Sequence, residues 1–204
     1  MEIGVIGAGD FGQAFAKRAL KAGHNVKLSN SRGPGSLLEI VKQLGPGAVA
    51  ATAEEVVACE IVLLAVPWDN VPKTLASLPK WKNQILIDGT NPFHGKAGSF
   101  KPADVGNLST SQLVASLAPG ARVVKALNNM TVPNLGADPV VNGARRVAFT
   151  SADDGAAKKQ VENLLKGLGY SVIDLGNLRD GGLLQQAGGP LAGRDLLERG
   201  EYFQ

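Results

Sequence analysis

The chain opens with a strand, a glycine-rich turn and a helix in immediate succession, and this arrangement constrains its fold most. The apolar run at 2–6 leads into GAGDFG at 7–12, and the amphipathic stretch QAFAKRALKAGH follows. In a G-x-G-x-x-G turn, the first glycine permits a tight turn, the second lets a pyrophosphate approach the backbone, and the third allows close helix packing. The free N–H groups at the helix start attract an anion. The pattern predicts a dinucleotide site that includes Gly7, Gly9, Asp10, Phe11 and Gly12.

Strand-like and helix-like segments alternate along most of the chain. Apolar runs such as EIVLLAV and QILID are continuous, which is typical of strands buried on both faces. We predict strands near 2–6, 25–29, 48–51, 60–66, 84–88, 121–126, 146–150 and 170–174. We predict helices near 11–22, 36–44, 53–58, 70–78, 110–117 and 154–167, with capping boxes at Ser36/Glu39 and Thr52/Glu55. The alternation predicts an α/β fold with a doubly wound, mostly parallel Rossmann-like sheet and a short C-terminal extension.

The loop after the second predicted strand lacks the acid that many dinucleotide-binding proteins carry there. In NAD-binding versions, a carboxylate about 20 residues further on accepts hydrogen bonds from the ribose hydroxyls. This chain has SNSRGPGS at 29–36 instead. Hydroxyl and amide donors with a guanidinium suit a 2′-phosphate, which a carboxylate would repel. The loop therefore predicts NADP(H), held by Asn30, Ser31, Arg32 and Ser36. An ordinary polar loop with an exposed arginine is the alternative.

Two further strand ends carry residues suited to the other half of a dinucleotide. LLAVPWDN at 63–70 follows the fourth predicted strand, and IDGTNPFHG at 87–95 closes the fifth. Ligands of open α/β sheets bind beyond such carboxyl ends, where the strand order reverses. We therefore expect a nicotinamide ring to contact Ala65, Val66, Pro67, Trp68, Thr90 and Asn91. The rings of Trp68 and Phe11 have an alternative role as core side chains, Phe11 by packing on Phe15.

The sequence offers candidates for contact with a second substrate but assigns no catalytic residue firmly. His94 could protonate a substrate or hydrogen-bond a ring carbonyl, and an exposed histidine without a role is the alternative. Lys125 ends the sixth predicted strand, where a solvent-facing lysine is the alternative. Asp88 is expected to hold loop amides rather than to react. The catalytic candidates are thus His94 and Lys125, and the candidate substrate contacts are Pro92, His94, Asn128 and Asn129.

Composition and charge argue against several other classes of protein. The 204 residues include 21 basic and 18 acidic side chains, and their scattered placement disfavours a nucleic-acid interface. No apolar run approaches the roughly 20 residues that span a bilayer, and no signal-peptide pattern is evident. Cys59 is the single cysteine, so no internal disulfide is expected, and no Cys/His spacing predicts a metal site. We expect a cytoplasmic protein without nucleic-acid, membrane or metal partners.

Several stretches together resemble the NADPH-dependent coenzyme F-420 reductase family. They are IGVIGAGDFGQAFAKRALKAGH, SNSRGPGSL, VLLAVPW, LIDGTNP and STSQLVASLAPGARVVKALNN, in that order within residues 1–129. LGYSVIDLGNL and GGPLAG extend the match more weakly toward the C-terminus. The family is also similar to the NADPH-binding domain of the metalloreductases of the six-transmembrane epithelial antigen type.

The resemblance implies a Rossmann-like fold and reversible hydride transfer between NADP(H) and coenzyme F-420 or a flavin such as FMN or FAD. It implies that Ser31 and Arg32 hold the 2′-phosphate, that 9–12 bind the pyrophosphate and that 65–67 line the nicotinamide. Hydride would then pass directly between stacked rings. We expect a single domain over 1–204, with 1–129 as the dinucleotide-binding core. Residues 130–204 would form a smaller β-α-β unit and tail that complete the acceptor site.

Two other functions are compatible with the N-terminal half. One is an NADPH-dependent imine, pyrroline or small-carbonyl reductase, which we disfavour because such enzymes carry a large helical domain after the Rossmann unit. The other is a non-enzymatic NADP(H) sensor, which would not need the loops on the nicotinamide side. The sequence leaves open whether a homodimer completes the pocket.

Overall fold

The protein is described by a computed structural model that covers residues 1–95, 101–106 and 108–200. The last four residues of the predicted tail, EYFQ at 201–204, lie outside these residues. The described strands are β1 (Glu2–Ile6), β2 (Asn25–Ser29), β3 (Ala48–Ala50), β4 (Ile61–Leu64), β5 (Ile85–Asp88), β6 (Phe93–His94), β7 (Lys101–Pro102), β8 (Arg122–Ala126), β9 (Val140–Val141), β10 (Ala144–Ser151), β11 (Ser171–Asp174) and β12 (Leu197–Glu198).

Helices connect most of these strands. They are α1 (Asp10–Lys21), α2 (Leu38–Leu44), α3 (Ala53–Val57), α4 (Val71–Ser77), α5 (Thr110–Leu117), α6 (Val132–Gly136), α7 (Gly155–Gly167) and α8 (Asp180–Gln185). Short 3-10 turns at Pro34–Leu37 and Trp68–Asn70 precede α2 and α4. The sequence predicted the longer elements, whereas it did not predict α6, α8 or the two-residue strands.

The main sheet confirms the predicted Rossmann-like α/β architecture. Its strand order is β3-β2-β1-β4-β5-β8-β10-β11, and the strands from β3 to β8 are parallel. From β1 the chain adds β2 and β3 on one side and then β4 and β5 on the other. The strand order therefore reverses between β1 and β4, which is the switch point where open α/β sheets bind ligands. The carboxyl ends of β1, β4 and β5 therefore meet beside this crevice.

The last part of the sheet departs from the parallel pattern. β10 is antiparallel to β8, and the two strands share only two residue pairs, Thr150 with Ala126 and Ser151 with Lys125. β11 then runs parallel to β10. The regular pairing between β8 and β10 is therefore short.

Both faces of the sheet are buried, which explains the continuous apolar runs. Ile61 and Leu63 of β4 point to the side that also holds Phe15 of α1. Their neighbours Val62 and Leu64 point to the side that holds Trp68. Successive side chains of a strand alternate between faces, so a strand covered on both sides needs apolar residues throughout.

One of the two predicted capping boxes is present. The Thr52 hydroxyl accepts a hydrogen bond from the Glu55 N–H, and the Glu55 carboxylate accepts one from the Thr52 N–H. The prediction at Ser36 is wrong, because Ser36 lies inside the 3-10 turn that precedes α2. Its hydroxyl donates to the Gly33 carbonyl (2.8 Å) instead of capping α2.

Candidate functional site

The glycine turn (residues 7–12) is shaped by contacts that exclude side chains at two positions. Gly7 has a φ of +105°, and a Cβ there would lie 2.2 Å from the Ala65 carbonyl oxygen. A Cβ at Gly12 would lie 2.0 Å from the Gly7 carbonyl oxygen. A Cβ at Gly9, in contrast, would meet no atom within 4 Å, so Gly9 faces open space at the start of α1. This open position above free helix N–H groups fits a pyrophosphate.

A cavity of about 500 Å³ extends from the glycine turn across the carboxyl ends of β4 and β5. Its size is in the range of small-molecule and cofactor sites. It brings together the predicted contacts on the nicotinamide side with part of the glycine turn. Its lining residues are Gly9, Asp10, Phe11, Ala65, Val66, Pro67, Trp68, Gly89, Thr90, Asn91, Phe93 and Gly95.

Two aromatic side chains, Trp68 and Phe11, both line the cavity and pack in the core. Trp68 lines the cavity and also packs with Val71 and Leu75 of α4. Phe11 lines the cavity while contacting the core that includes Phe15. A Cβ at Gly89 would lie 3.1 Å from Phe11 Cε1, so the glycine keeps room for this ring.

The β2 loop (residues 29–36) has two kinds of polar side chain. Asn30 donates to the Ser36 hydroxyl (2.9 Å) and accepts from the Arg32 N–H (2.9 Å), so the Asn30 and Ser36 side chains brace the loop itself. Ser31 and Arg32 are exposed. Within the described part of the chain, the Arg32 guanidinium has no carboxylate partner. An unpaired guanidinium at this position is available to an anion.

The β5 turn (residues 88–91) is held by buried hydrogen bonds. One oxygen of the buried Asp88 carboxylate accepts from the Thr90 N–H (2.9 Å) and the Thr90 hydroxyl (2.6 Å). The other oxygen accepts from the Ser111 hydroxyl. Asp88 thus holds a loop amide, as expected from the sequence. The turn that carries Thr90 and Asn91 to the cavity is therefore held in place from its buried side.

Lys125 is fully buried beneath this turn. Its Nζ donates to the Thr110 hydroxyl (2.8 Å) and lies 3.5 Å from Asp88 Oδ2. Burial lowers the pKa of the Lys125 ammonium below its ordinary value, and the neighbouring Asp88 carboxylate opposes this shift without reversing it. With 0% of its side chain exposed, Lys125 neither faces solvent nor borders the cavity. Both interpretations made from the sequence, the solvent-facing lysine and the catalytic contact, are corrected here.

Three of the candidate substrate contacts are also buried. Asn128 donates to the Thr90 carbonyl, and Asn129 donates to the carbonyls of Val147 (3.0 Å) and Arg194 (3.4 Å). Pro92 is buried, and its carbonyl accepts from the Ala103 N–H (2.7 Å). None of the three lines the cavity. The side chains of Asn128 and Asn129 and the Pro92 carbonyl hold loops together, contrary to the expectation that these residues border a substrate.

His94 lies at the mouth of the cavity and is paired with a residue that sequence reasoning missed. Its Nδ1 contacts the Asp69 carboxylate, and both side chains are about half exposed, at 54% and 51%. The hydrogen bond from His94 lowers the pKa of the Asp69 carboxyl. Phe93 and Gly95 on one side and Trp68 on the other line the cavity. The His94–Asp69 pair therefore spans the mouth between the loops after β4 and β5.

Comparison with known proteins identifies the family. Residues 2–92 match the family model described as NADP oxidoreductase, coenzyme F420-dependent. A solved structure assigned as an F420-dependent NADP reductase from Arthrobacter sp. FB24 is 28% identical, with a TM-score of 0.74 over 86% of this chain and 85% of that one. The chain belongs to this family. It is thus a member of a family of NADP-dependent oxidoreductases with a Rossmann-like fold.

Two other relatives extend the match beyond the family model. The hypothetical protein SMa0349 from Sinorhizobium meliloti is 36% identical and has a TM-score of 0.90 over 97% of this chain and 96% of that one. Metalloreductase STEAP3 from Rattus norvegicus is 26% identical over 87% of this chain. The chain spans only 34% of that protein, about a third of the length of the curated relatives it matches.

The helices of the described residues were also compared with the length of a membrane span. Across 1–95, 101–106 and 108–200, none is both long and apolar enough to cross a bilayer.

Proposed function

We propose that the protein transfers hydride between NADP(H) and a planar, flavin-like acceptor, either coenzyme F-420 or a flavin. The observation that carries this proposal is the single cavity that runs from the open Gly9 position to the β5 turn. It offers an anion-binding helix start at one end and a mostly apolar wall at the other. This is the arrangement that a dinucleotide with its nicotinamide at a sheet switch point requires.

The predicted contacts at the cavity and the exposed residues of the β2 loop have roles in this proposal. Gly9 and the N–H groups that begin α1 would bind the pyrophosphate, while Ser31 and Arg32 would bind the 2′-phosphate. Ala65, Val66 and Pro67 would form the floor under the nicotinamide, with Thr90 and Asn91 along its edge. When bound, the reduced nicotinamide supplies the hydride, and the protein's contribution is to hold two rings at reacting distance.

The acceptor side of the proposal rests on the mouth of the cavity. The lining there is largely carbon, from Phe93, Trp68 and Pro67, which suits a flat ring stacked on the nicotinamide. The half-exposed His94, held by Asp69, would donate a proton or hydrogen bond to the ring that accepts the hydride. The family model and the Arthrobacter neighbour support F-420 as the acceptor to test first.

The same histidine is compatible with one second candidate, a carbonyl or imine acceptor, because hydride reduction of a C=O or C=N bond also consumes a proton. We also propose that the chain acts as one dinucleotide-binding domain with 1–129 as its core. Residues 130–204 would complete the acceptor side, with or without a second copy of the chain.

NADPH oxidation in the presence of F-420, FMN, FAD, a quinone, a cyclic imine and a ketone tests the proposal. We expect turnover with one or more ring acceptors and little with the imine or ketone. Turnover with the imine alone would favour the second candidate. Tight NADPH binding without turnover of any acceptor would contradict the enzyme proposal and favour an NADP(H) sensor.

A further inference from the structure

A chain of buried hydrogen bonds links the C-terminal segment to the β5 turn. Gln186 Oε1 accepts from the Thr110 N–H (2.8 Å) and from its hydroxyl (3.2 Å). That hydroxyl accepts from Lys125 Nζ (2.8 Å), which lies 3.5 Å from the Asp88 carboxylate. Asp88 in turn holds the N–H and hydroxyl of Thr90. All five side chains are buried.

A second route starts at the next residue and ends beside the first. The Ala187 N–H donates to Asn91 Oδ1 (3.2 Å), and Asn91 Nδ2 donates to the Asn128 carbonyl (3.1 Å). Asn128 Nδ2 then donates to the Thr90 carbonyl. Two adjacent residues of the C-terminal segment are thus connected to two adjacent residues of the cavity wall, Thr90 and Asn91, by separate paths.

The helix before these residues is seated too closely for any residue but glycine at two positions. A Cβ at Gly181 would lie 2.4 Å from the Leu175 carbonyl oxygen and 2.4 Å from Ser151 Oγ. A Cβ at Gly182 would lie 2.9 Å from the Ser109 side chain. The buried Gln185 donates to Ser151 Oγ (2.8 Å) and to the Lys125 carbonyl (3.5 Å). α8 therefore packs directly on the short junction between β8 and β10.

We propose that Gln186 and Ala187 position the β5 turn for hydride transfer, so that the segment 180–187 is a working part of the nicotinamide half of the site. This inference rests on the proposed function. A buried polar network in which the members bond one another behaves as a unit, so loss of one member moves the others. Displacement of a reacting group by about 1 Å can cost about 100-fold in rate. Neither residue lines the cavity, and both would act through Thr90 and Asn91.

The proposal predicts a selective defect. Among the described residues, the β2 loop shares no hydrogen bond with this network, so we expect the adenosine half of the site to be independent of it. Disturbing Gln186 or Ala187 should therefore change hydride transfer and the environment of the nicotinamide. It should leave the binding of 2′,5′-ADP, which occupies the adenosine half alone, unchanged.

Two variants test the two routes in the full-length protein. Gln186→Ala removes the acceptor for Thr110, and Gln186→Glu restores an acceptor oxygen. Ala187→Pro removes the N–H that Asn91 accepts, and the extended backbone of Gln186 (φ −68°, ψ 162°) is the conformation that precedes proline. The matched control is Tyr170→Phe, which deletes a buried hydrogen bond from the Tyr170 hydroxyl to the Leu135 carbonyl, away from the cavity.

The measurements are the single-turnover rate of hydride transfer, its deuterium isotope effect, the emission of bound NADPH and the Kd of 2′,5′-ADP. We expect Gln186→Ala and Ala187→Pro to lower the rate about tenfold and to alter the NADPH emission, with the Kd of 2′,5′-ADP changed less than about twofold. Gln186→Glu should recover most of the rate. Tyr170→Phe should leave the rate and emission as in the wild type despite a lower melting temperature.

Rates and emission that stay at wild-type values in both test variants would overturn the proposal. A loss of 2′,5′-ADP affinity as large as the loss of rate would also overturn it, because such a loss indicates general damage to the fold. The emission of bound NADPH needs no acceptor. If none of the ring acceptors supported NADPH oxidation by the wild type, the proposed function would fail. The positioning role would still be decided by the NADPH emission of the variants.

Discussion

In the proposed function the β2 loop and the β5 turn contact opposite halves of the dinucleotide, and they are built in opposite ways. In the β2 loop, Ser31 and Arg32 are exposed, and only short bonds among Asn30, Ser36 and the backbone brace the chain. In the β5 turn, Asp88 and Thr90 are buried and hydrogen-bonded to side chains from three other segments. The proposed adenosine contact is thus a surface loop, whereas the proposed nicotinamide contact belongs to the interior.

This difference matches what each end has to do. Recognition of a 2′-phosphate needs charge and donors on a surface, which a braced but exposed loop supplies. Hydride transfer needs two rings at a fixed distance, which requires a wall supported by packed and bonded neighbours. We therefore expect substitutions in the loop to change cofactor preference, and substitutions under the turn to change stability and rate.

The largest expected effect comes from a substitution in the glycine turn. Gly9→Val should lower the affinity for NADPH and NADH by roughly 100-fold or more, because the new side chain occupies the space of the pyrophosphate. The melting temperature should change little, since a Cβ at Gly9 meets no atom within 4 Å. Isothermal titration and thermal unfolding measure both. Gly12→Ala is the contrasting variant and should unfold, because its Cβ would lie 2.0 Å from the Gly7 carbonyl oxygen.

Breaking the buried pair under the β5 turn should produce the next largest effect. Lys125→Met leaves the Asp88 carboxylate buried without a cation and should lower the free energy of unfolding by about 3 kcal/mol. Urea denaturation measures this loss. The double variant Lys125→Met/Asp88→Asn should regain part of the stability, because it removes the uncompensated charge. A single variant as stable as the wild type would contradict the view that this end is held by its interior.

A substitution in the β2 loop should act on cofactor choice alone. Arg32→Ala should raise the KM for NADPH about tenfold, since it removes a charge-assisted contact to the 2′-phosphate, while the KM for NADH stays within about twofold. Steady-state kinetics with both cofactors measure the ratio. Ser36→Ala should have a smaller effect, as the Ser36 hydroxyl is already engaged within the loop. Equal changes for NADPH and NADH would refute the phosphate assignment.

The smallest expected effect is a pH dependence at the cavity mouth. His94 lowers the pKa of the Asp69 carboxyl below its ordinary value of 3.8. A carboxyl with a depressed pKa in the folded state stabilises that state above its ordinary value, and the contribution is lost as the pH falls through the folded pKa. The contact between the loops after β4 and β5 should therefore weaken as the pH falls through the pKa of the Asp69 carboxyl. NMR titration of the wild type and Asp69→Asn measures this, and identical profiles would show that the pair does not join the loops.

Features that depend on neighbouring residues in sequence were predictable. The glycine turn and the Thr52 capping box each lie within a few residues of chain, so the residue types specify the local backbone. The continuous apolar runs likewise indicated buried parallel strands, and these are confirmed.

The buried network was not predicted, because its members come from distant segments. Lys125 lies inside the apolar run VVKAL, and a charged residue there signals a buried group in need of a partner. Its partner Asp88 is its register neighbour across β5 and β8, which becomes visible only when the two strands are paired. α8 was hidden for a related reason. Gly181 and Gly182 lower helix propensity and suggest a turn, whereas tertiary contact requires them.

The three glycines of the glycine turn are constrained for different reasons, and this difference has a consequence for the evolution of such proteins. Side chains at Gly7 and Gly12 collide with the protein's own backbone, whereas a side chain at Gly9 collides with nothing the protein contains. A descendant that gave up its cofactor would still have to keep the first and third glycines in order to fold. Only the second would be free to drift. Within this motif, the middle glycine is therefore the position whose loss records the end of dinucleotide binding.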